Sequence, residues 1–88
     1  VLRTPDEDLR DKYRRVLQDG YLSMDKAQNI LVIKTVPGMA MAVAAALDAM
    51  KWNEVVGCIA GDDTIMCAIR SEDATTEVME KISKIVFQ

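Results

Sequence analysis

The chain has 88 residues, half of them apolar and 28% charged, and its 11 Lys and Arg against 14 Asp and Glu leave a net charge of −3. That length suits one small domain with a single core. A main DNA- or RNA-binding surface is disfavoured, because it needs an excess of cations to neutralise phosphates, and no run of roughly eighteen apolar residues is present to span a membrane.

The first residues, VLRTPDEDLRDKYRR, hold no apolar stretch of the kind a signal peptide requires. This points to a cytoplasmic chain with reduced thiols. The start at Val1 instead of Met suggests a fragment or a processed product.

Thr4-Pro5-Asp6-Glu7 predicts a helix start, with Thr4 as cap, Pro5 at the first helical position and Glu7 completing a capping box. Leu9, Tyr13, Val16 and Leu17 share one helical stripe, and Gly20 is placed as the C-cap. Tyr21 to Asp25 then reads as a short strand and Lys26 to Asn29 as a turn. Ile30 to Val36 is a β-branched run too apolar for an exposed strand. Pro37-Gly38 breaks it, and Pro37 is expected to open an Ala-rich helix over Met39 to Met50. On that helix Met39, Val43, Leu47 and Met50 form one stripe, while Met41, Ala45 and Asp48 form another. Two apolar-leaning faces predict a second contact, with another subunit.

Val55 to Ala60 and Ile65 to Ile69 read as a hairpin around Gly61-Asp62-Asp63-Thr64. Its spacing places Cys58 and Cys67 on one face as opposite or diagonal neighbours, read as reduced core residues. Ser71 caps a last helix whose buried stripe is Ala74, Val78, Ile82, Ile85 and Val86. The order α-ββ-α-ββ-α predicts a two-layer α+β sandwich, with helices packed on a mostly antiparallel four-stranded sheet.

The chain has no His and only two Cys. A Ser or Cys nucleophile therefore lacks its usual base, and a zinc site lacks ligands. No Gly-rich phosphate loop is present. What remains is the pair Asp62 and Asp63. They are ordinary turn residues on one reading. On the other, two adjacent carboxylates disfavour each other's ionisation unless a cation shares them. Mg²⁺, Ca²⁺, a guanidinium or an ammonium group would serve.

The segment ILVIKTVPGMAMAVAAALDAM followed by VVGCIAGDDTIMCAI resembles the C-terminal domain of bacterial arginine repressors. The shared pattern is an apolar strand, Pro-Gly, an Ala-rich helix ending in Leu-Asp, and a Gly-Asp-Asp-Thr hairpin. The resemblance covers roughly residues 8 to 86. It implies that residues 6–88 form an oligomerisation and arginine-binding domain behind a linker remnant at residues 1–5. In that family the domain forms trimers that stack into hexamers and binds L-arginine, the corepressor, between trimers, with no metal. A separate winged-helix domain, outside these 88 residues, reads operator DNA. The resemblance also implies a regulator of arginine genes and not an enzyme.

By the same resemblance Asp62 and Asp63 match the family's paired aspartates and would hold L-arginine, with Asp48 as a third carboxylate. Met41 departs from the pattern, because several relatives carry Gln or Asn there and a thioether cannot replace an amide's donor and acceptor. Met39, Ala42 and Ala45 are candidates for a subunit interface, and the Met residues could equally fill the core. Two other readings stay open: a module for another amino acid or amine, and a small carboxylate-based enzyme on Asp48, Asp62 and Asp63.

Overall fold

A computed structural model describes residues 5–87. The capping box expected of Thr4 and Glu7 falls outside what is described, as does most of the linker expected over residues 1–5. The elements are α1 (Pro5–Gly20), β1 (Tyr21–Ala27), β2 (Ile30–Thr35), α2 (Ala40–Met50), β3 (Val55–Ala60), β4 (Thr64–Ile69) and α3 (Glu72–Val86). The predicted α+β order is the observed one.

The four strands form one sheet in the order β1-β2-β4-β3, and every neighbouring pair is antiparallel. Two hairpins thus join through their second strands, which leaves β1 and β3 as edges. The three helices cover one face. Leu31, Ile33, Ile65, Cys67 and Ile69 point into that layer and meet Leu17, Val43, Leu47, Val78 and Ile82. Two buried threonines lie in the same layer. Thr35 gives its hydroxyl proton to the Val36 carbonyl and Thr75 gives its own to the Ser71 carbonyl, so neither costs an unmade hydrogen bond.

Local chemistry explains most element ends. Ser71 caps α3 by accepting from the Ala74 amide at 3.0 Å, and Glu72 and Asp73 occupy its first turn, where the helix dipole favours anions. Gln28, at a φ of 56°, and Asn29 close the β1–β2 hairpin in two residues. Lys26 and Ala27, expected in the turn, therefore belong to β1.

Three further expectations need correction. Pro37 does not open α2: it lies in a turn, Met39 is the N-cap and the helix begins at Ala40. Gly20 is not a left-handed cap, since Gly38 is the described glycine with a positive φ, at 85°. Gly20 is instead the buried end of α1, where Val43 and Met39 of the next helix segment press against its backbone. Leu9, placed on one stripe of α1 with Tyr13, Val16 and Leu17, does not share the burial of Leu17: it is 47% exposed and borders a depression with Tyr13, Met50 and Trp52.

Candidate ligand-binding site

Gly61 donates to the Thr64 carbonyl at 2.8 Å, so Asp62 and Asp63 form a two-residue loop between β3 and β4. Both keep a negative φ, unlike the mirror-image turns that two-residue hairpins usually adopt. Contacts with the β2–α2 connection hold this less usual turn. The Asp62 carbonyl accepts from the Gly38 amide at 3.1 Å and from the Ala40 amide at 3.2 Å. The Asp63 carbonyl accepts from Thr35 at 2.8 Å.

These bonds also cap α2. Met39 makes no side-chain cap, so the first turn of α2 lacks the usual Ser, Thr, Asp or Asn acceptor. The Asp62 carbonyl supplies one from the other hairpin. The amides of Met41 and Ala42 take no backbone partner among the described residues. They are two of the donors that any helix start leaves open. The turn thus pins backbone against backbone and leaves both carboxylates exposed to solvent.

Asp63 accepts a hydrogen bond from the Thr64 hydroxyl at 3.1 Å, and Lys34 donates to the same hydroxyl at 2.9 Å. Among the described residues neither Asp62 nor Asp63 forms a direct ion pair. The two carboxylates therefore meet water, with the positive end of the α2 dipole behind them.

The other predicted residues sort along α2. Met41 is 73% exposed, one helical step beyond Ala40, at the same end as the turn. Ala42 and Ala45 are also exposed, whereas Met39 is half-buried beside Gly20. Asp48 shares the exposed side of the helix but lies eight residues beyond Ala40, about 12 Å along the axis. It borders a small depression with Lys51, Trp52 and Val55 to Gly57. One chain therefore brings together Asp62, Asp63 and Met41 and keeps Asp48 apart.

The outward face of the sheet was missed by the sequence reading. Val32, Met66 and Ile59 lie opposite one another across β2, β4 and β3, as do Ile30, Ala68 and Gly57. Ile59 is 79% exposed, Val56 62% and Met66 53%. With Ile30 and Ala68 they line a shallow apolar depression of about 450 Å³. The available signal was the strand alternation itself: β2, β3 and β4 are apolar at both parities, so their second face is as apolar as their first.

Comparison with known proteins follows the same lines. The profile of a family described as arginine repressor, C-terminal domain, matches residues 17–84. An arginine repressor of Lachnoclostridium phytofermentans is 60% identical over 86 residues, covering 98% of this chain and 57% of its own. One of Lachnospira eligens is 66% identical over 76 residues, covering 86% of this chain and 50% of its own. One of Acetivibrio thermocellus is 46% identical over 80 residues, covering 91% and 52%. The chain spans about half the length of the curated relatives it matches.

Proposed function

The chain belongs to the arginine repressor C-terminal domain family, and from that premise we propose that it is the effector-binding and self-assembling part of a cytoplasmic regulator of arginine genes. L-arginine is the effector. Asp62 and Asp63 hold its cationic groups, and copies of the chain assemble as trimers and hexamers around it. DNA is met through a separate domain, and no catalysis is assigned to the fold.

The observation that carries this reading is the exposed Asp pair, with no direct ion pair among the described residues, on a turn fixed by three backbone hydrogen bonds. A preorganised pair of carboxylates loses little freedom on binding. A guanidinium meets a carboxylate through two parallel N–H···O bonds, the strong planar kind, while the α-ammonium takes a second acceptor. The open amides of Met41 and Ala42 suit the ligand's carboxylate, which compensates for the lost amide side chain at position 41. Asp48, about 12 Å further along α2 than Ala40 on its own chain, reaches the same ligand from a facing copy. A ligand shared between copies couples binding to assembly.

The test is titration calorimetry with L-arginine on the wild type and on Asp62→Asn and Asp63→Asn, alongside sedimentation velocity. Each substitution should weaken binding at least ~10-fold with circular dichroism unchanged, since a charge-assisted bond is lost from an exposed site. L-citrulline, which lacks the guanidinium charge, should bind far more weakly than L-arginine. Unchanged affinity in both variants would sink the proposal.

A further inference from the structure

The two cysteines lie outside the proposed ligand contacts. Cys58 of β3 and Cys67 of β4 are direct cross-strand partners, with sulfurs 2.8 Å apart. The hydrogen-bond pattern fixes the kind of pair. Gly61 and Thr64 are hydrogen-bonded partners, and such pairs alternate along an antiparallel ladder, so Ile59 with Met66 is bonded and Cys58 with Cys67 is not. At non-bonded pairs the backbones approach most closely, with Cα atoms about 4.5 Å apart, inside the window a disulfide requires. The sulfurs need to move only about 0.8 Å closer to form a bond.

The pair is also asymmetric. Cys67 is buried in a central strand at 2% exposure, whereas Cys58, on an edge strand, is only partly buried where it packs against the core. From this arrangement we infer that Cys58 and Cys67 form a reversible oxidation site: a hydroperoxide oxidises Cys58, and Cys67 resolves it to an intramolecular disulfide.

The steps balance. The Cys58 thiolate attacks one oxygen of the hydroperoxide, the O–O bond breaks, and the other oxygen leaves as an alcohol, or as water from hydrogen peroxide, after taking a proton. The Cys67 sulfur then attacks the Cys58 sulfenic acid. The S–S bond forms, the S–O bond breaks, and hydroxide leaves as water with the Cys67 proton. Two thiols and one hydroperoxide give a disulfide, one alcohol and one water. The sulfurs lose the two electrons that the peroxide gains.

The shared proton favours this order. The hydrogen bond with Cys67 draws Cys58 below the ordinary thiol range, against the opposing effects of burial and of Asp48 nearby. The hydrogen bond to Cys58, burial and the negative charges of Cys58 and Asp48 hold the Cys67 proton far more tightly than usual. The less buried of the two sulfurs is therefore the one that reaches its reactive form.

The experiment exposes the reduced 88-residue chain to hydrogen peroxide and follows free thiols, intact mass and a peptide map. Both thiols should disappear together, with loss of two hydrogens and a Cys58–Cys67 cross-link that dithiothreitol reverses. Cys67→Ser should stop at a sulfenic acid on Cys58 that dimedone traps. Cys58→Ser should slow oxidation of the remaining thiol at least ~10-fold. If the wild type instead keeps both thiols, cross-links only between chains, or oxidises Cys67 first, the inference is wrong. The wild-type peptide map decides this even if a serine variant fails to fold, and none of the outcomes depends on arginine.

Discussion

Glu54 shows how one part-buried carboxylate is held. It lies on the loop after α2, and Lys81 of α3 donates to it at 2.5 Å while the same ammonium stands 5.5 Å from the centre of the Trp52 ring. The Lys81 hydrogen bond, before any other influence, lowers the Glu54 carboxyl below the usual range. A carboxyl lowered on folding stabilises the folded chain above its unfolded value, and the contribution fades as pH falls through the folded one. Glu54→Gln should therefore lower Tm at neutral pH, and the gap to the wild type should close below about pH 4. Thermal melts of both chains across pH check this, and added salt should narrow the neutral-pH gap because the pair is near the surface. The Asp62 and Asp63 variants belong to the same scale, but they report on ligand affinity and not on fold.

At the scale of elements the decisive contact is between the end of α1 and the start of α2. A Cβ at Gly20 would lie 2.6 Å from a Val43 methyl and 3.2 Å from the end of the Met39 side chain. Met39 can swing aside, but Val43 is fully buried and cannot. Gly20→Ala should cost about 1–3 kcal/mol by overpacking, and adding Val43→Ala should recover part of the clash while leaving the loss of buried area. Urea titrations of the single and double variants measure the coupling. The same junction shows what sequence reading could reach. Apolar spacing made the helices and strands legible, because 3.6-residue and two-residue periods mark a buried face directly. It could not show that a carbonyl of the second hairpin caps α2, since that donor–acceptor pair joins Ala40 to Asp62 across the fold. The helix start therefore fell at Pro37 by local rules and at Ala40 by tertiary ones. Asp62 and Asp63 stood out as a charged pair between apolar strands, but their place at the start of α2, with Asp48 about 12 Å further along the helix than Ala40, follows from α2 as a rod.

For the whole molecule the question is what covers the sheet's second face. Helices seal one side, while Val32, Val56, Ile59, Met66 and Ala68 stand on the other. Contiguous apolar surface of this kind costs free energy in water and marks an interaction site. The self-assembly proposed here supplies the cover, and places the sheet face between copies as well as the exposed side of α2. The two surfaces make different predictions. Ile59→Lys with Met66→Lys inserts two charges into the middle of the apolar face, and burying them unpaired is strongly unfavourable. That double variant should sediment as a smaller species than the wild type, with or without L-arginine. Ala45→Lys, on the exposed side of α2, should spare the smaller assembly and weaken only the step that arginine promotes. Sedimentation velocity of the three chains separates these cases. If the Ile59 and Met66 variant keeps the wild-type mass, the sheet face is not an interface between copies. If Ala45→Lys also collapses the smaller assembly, then α2 and not the sheet holds it together.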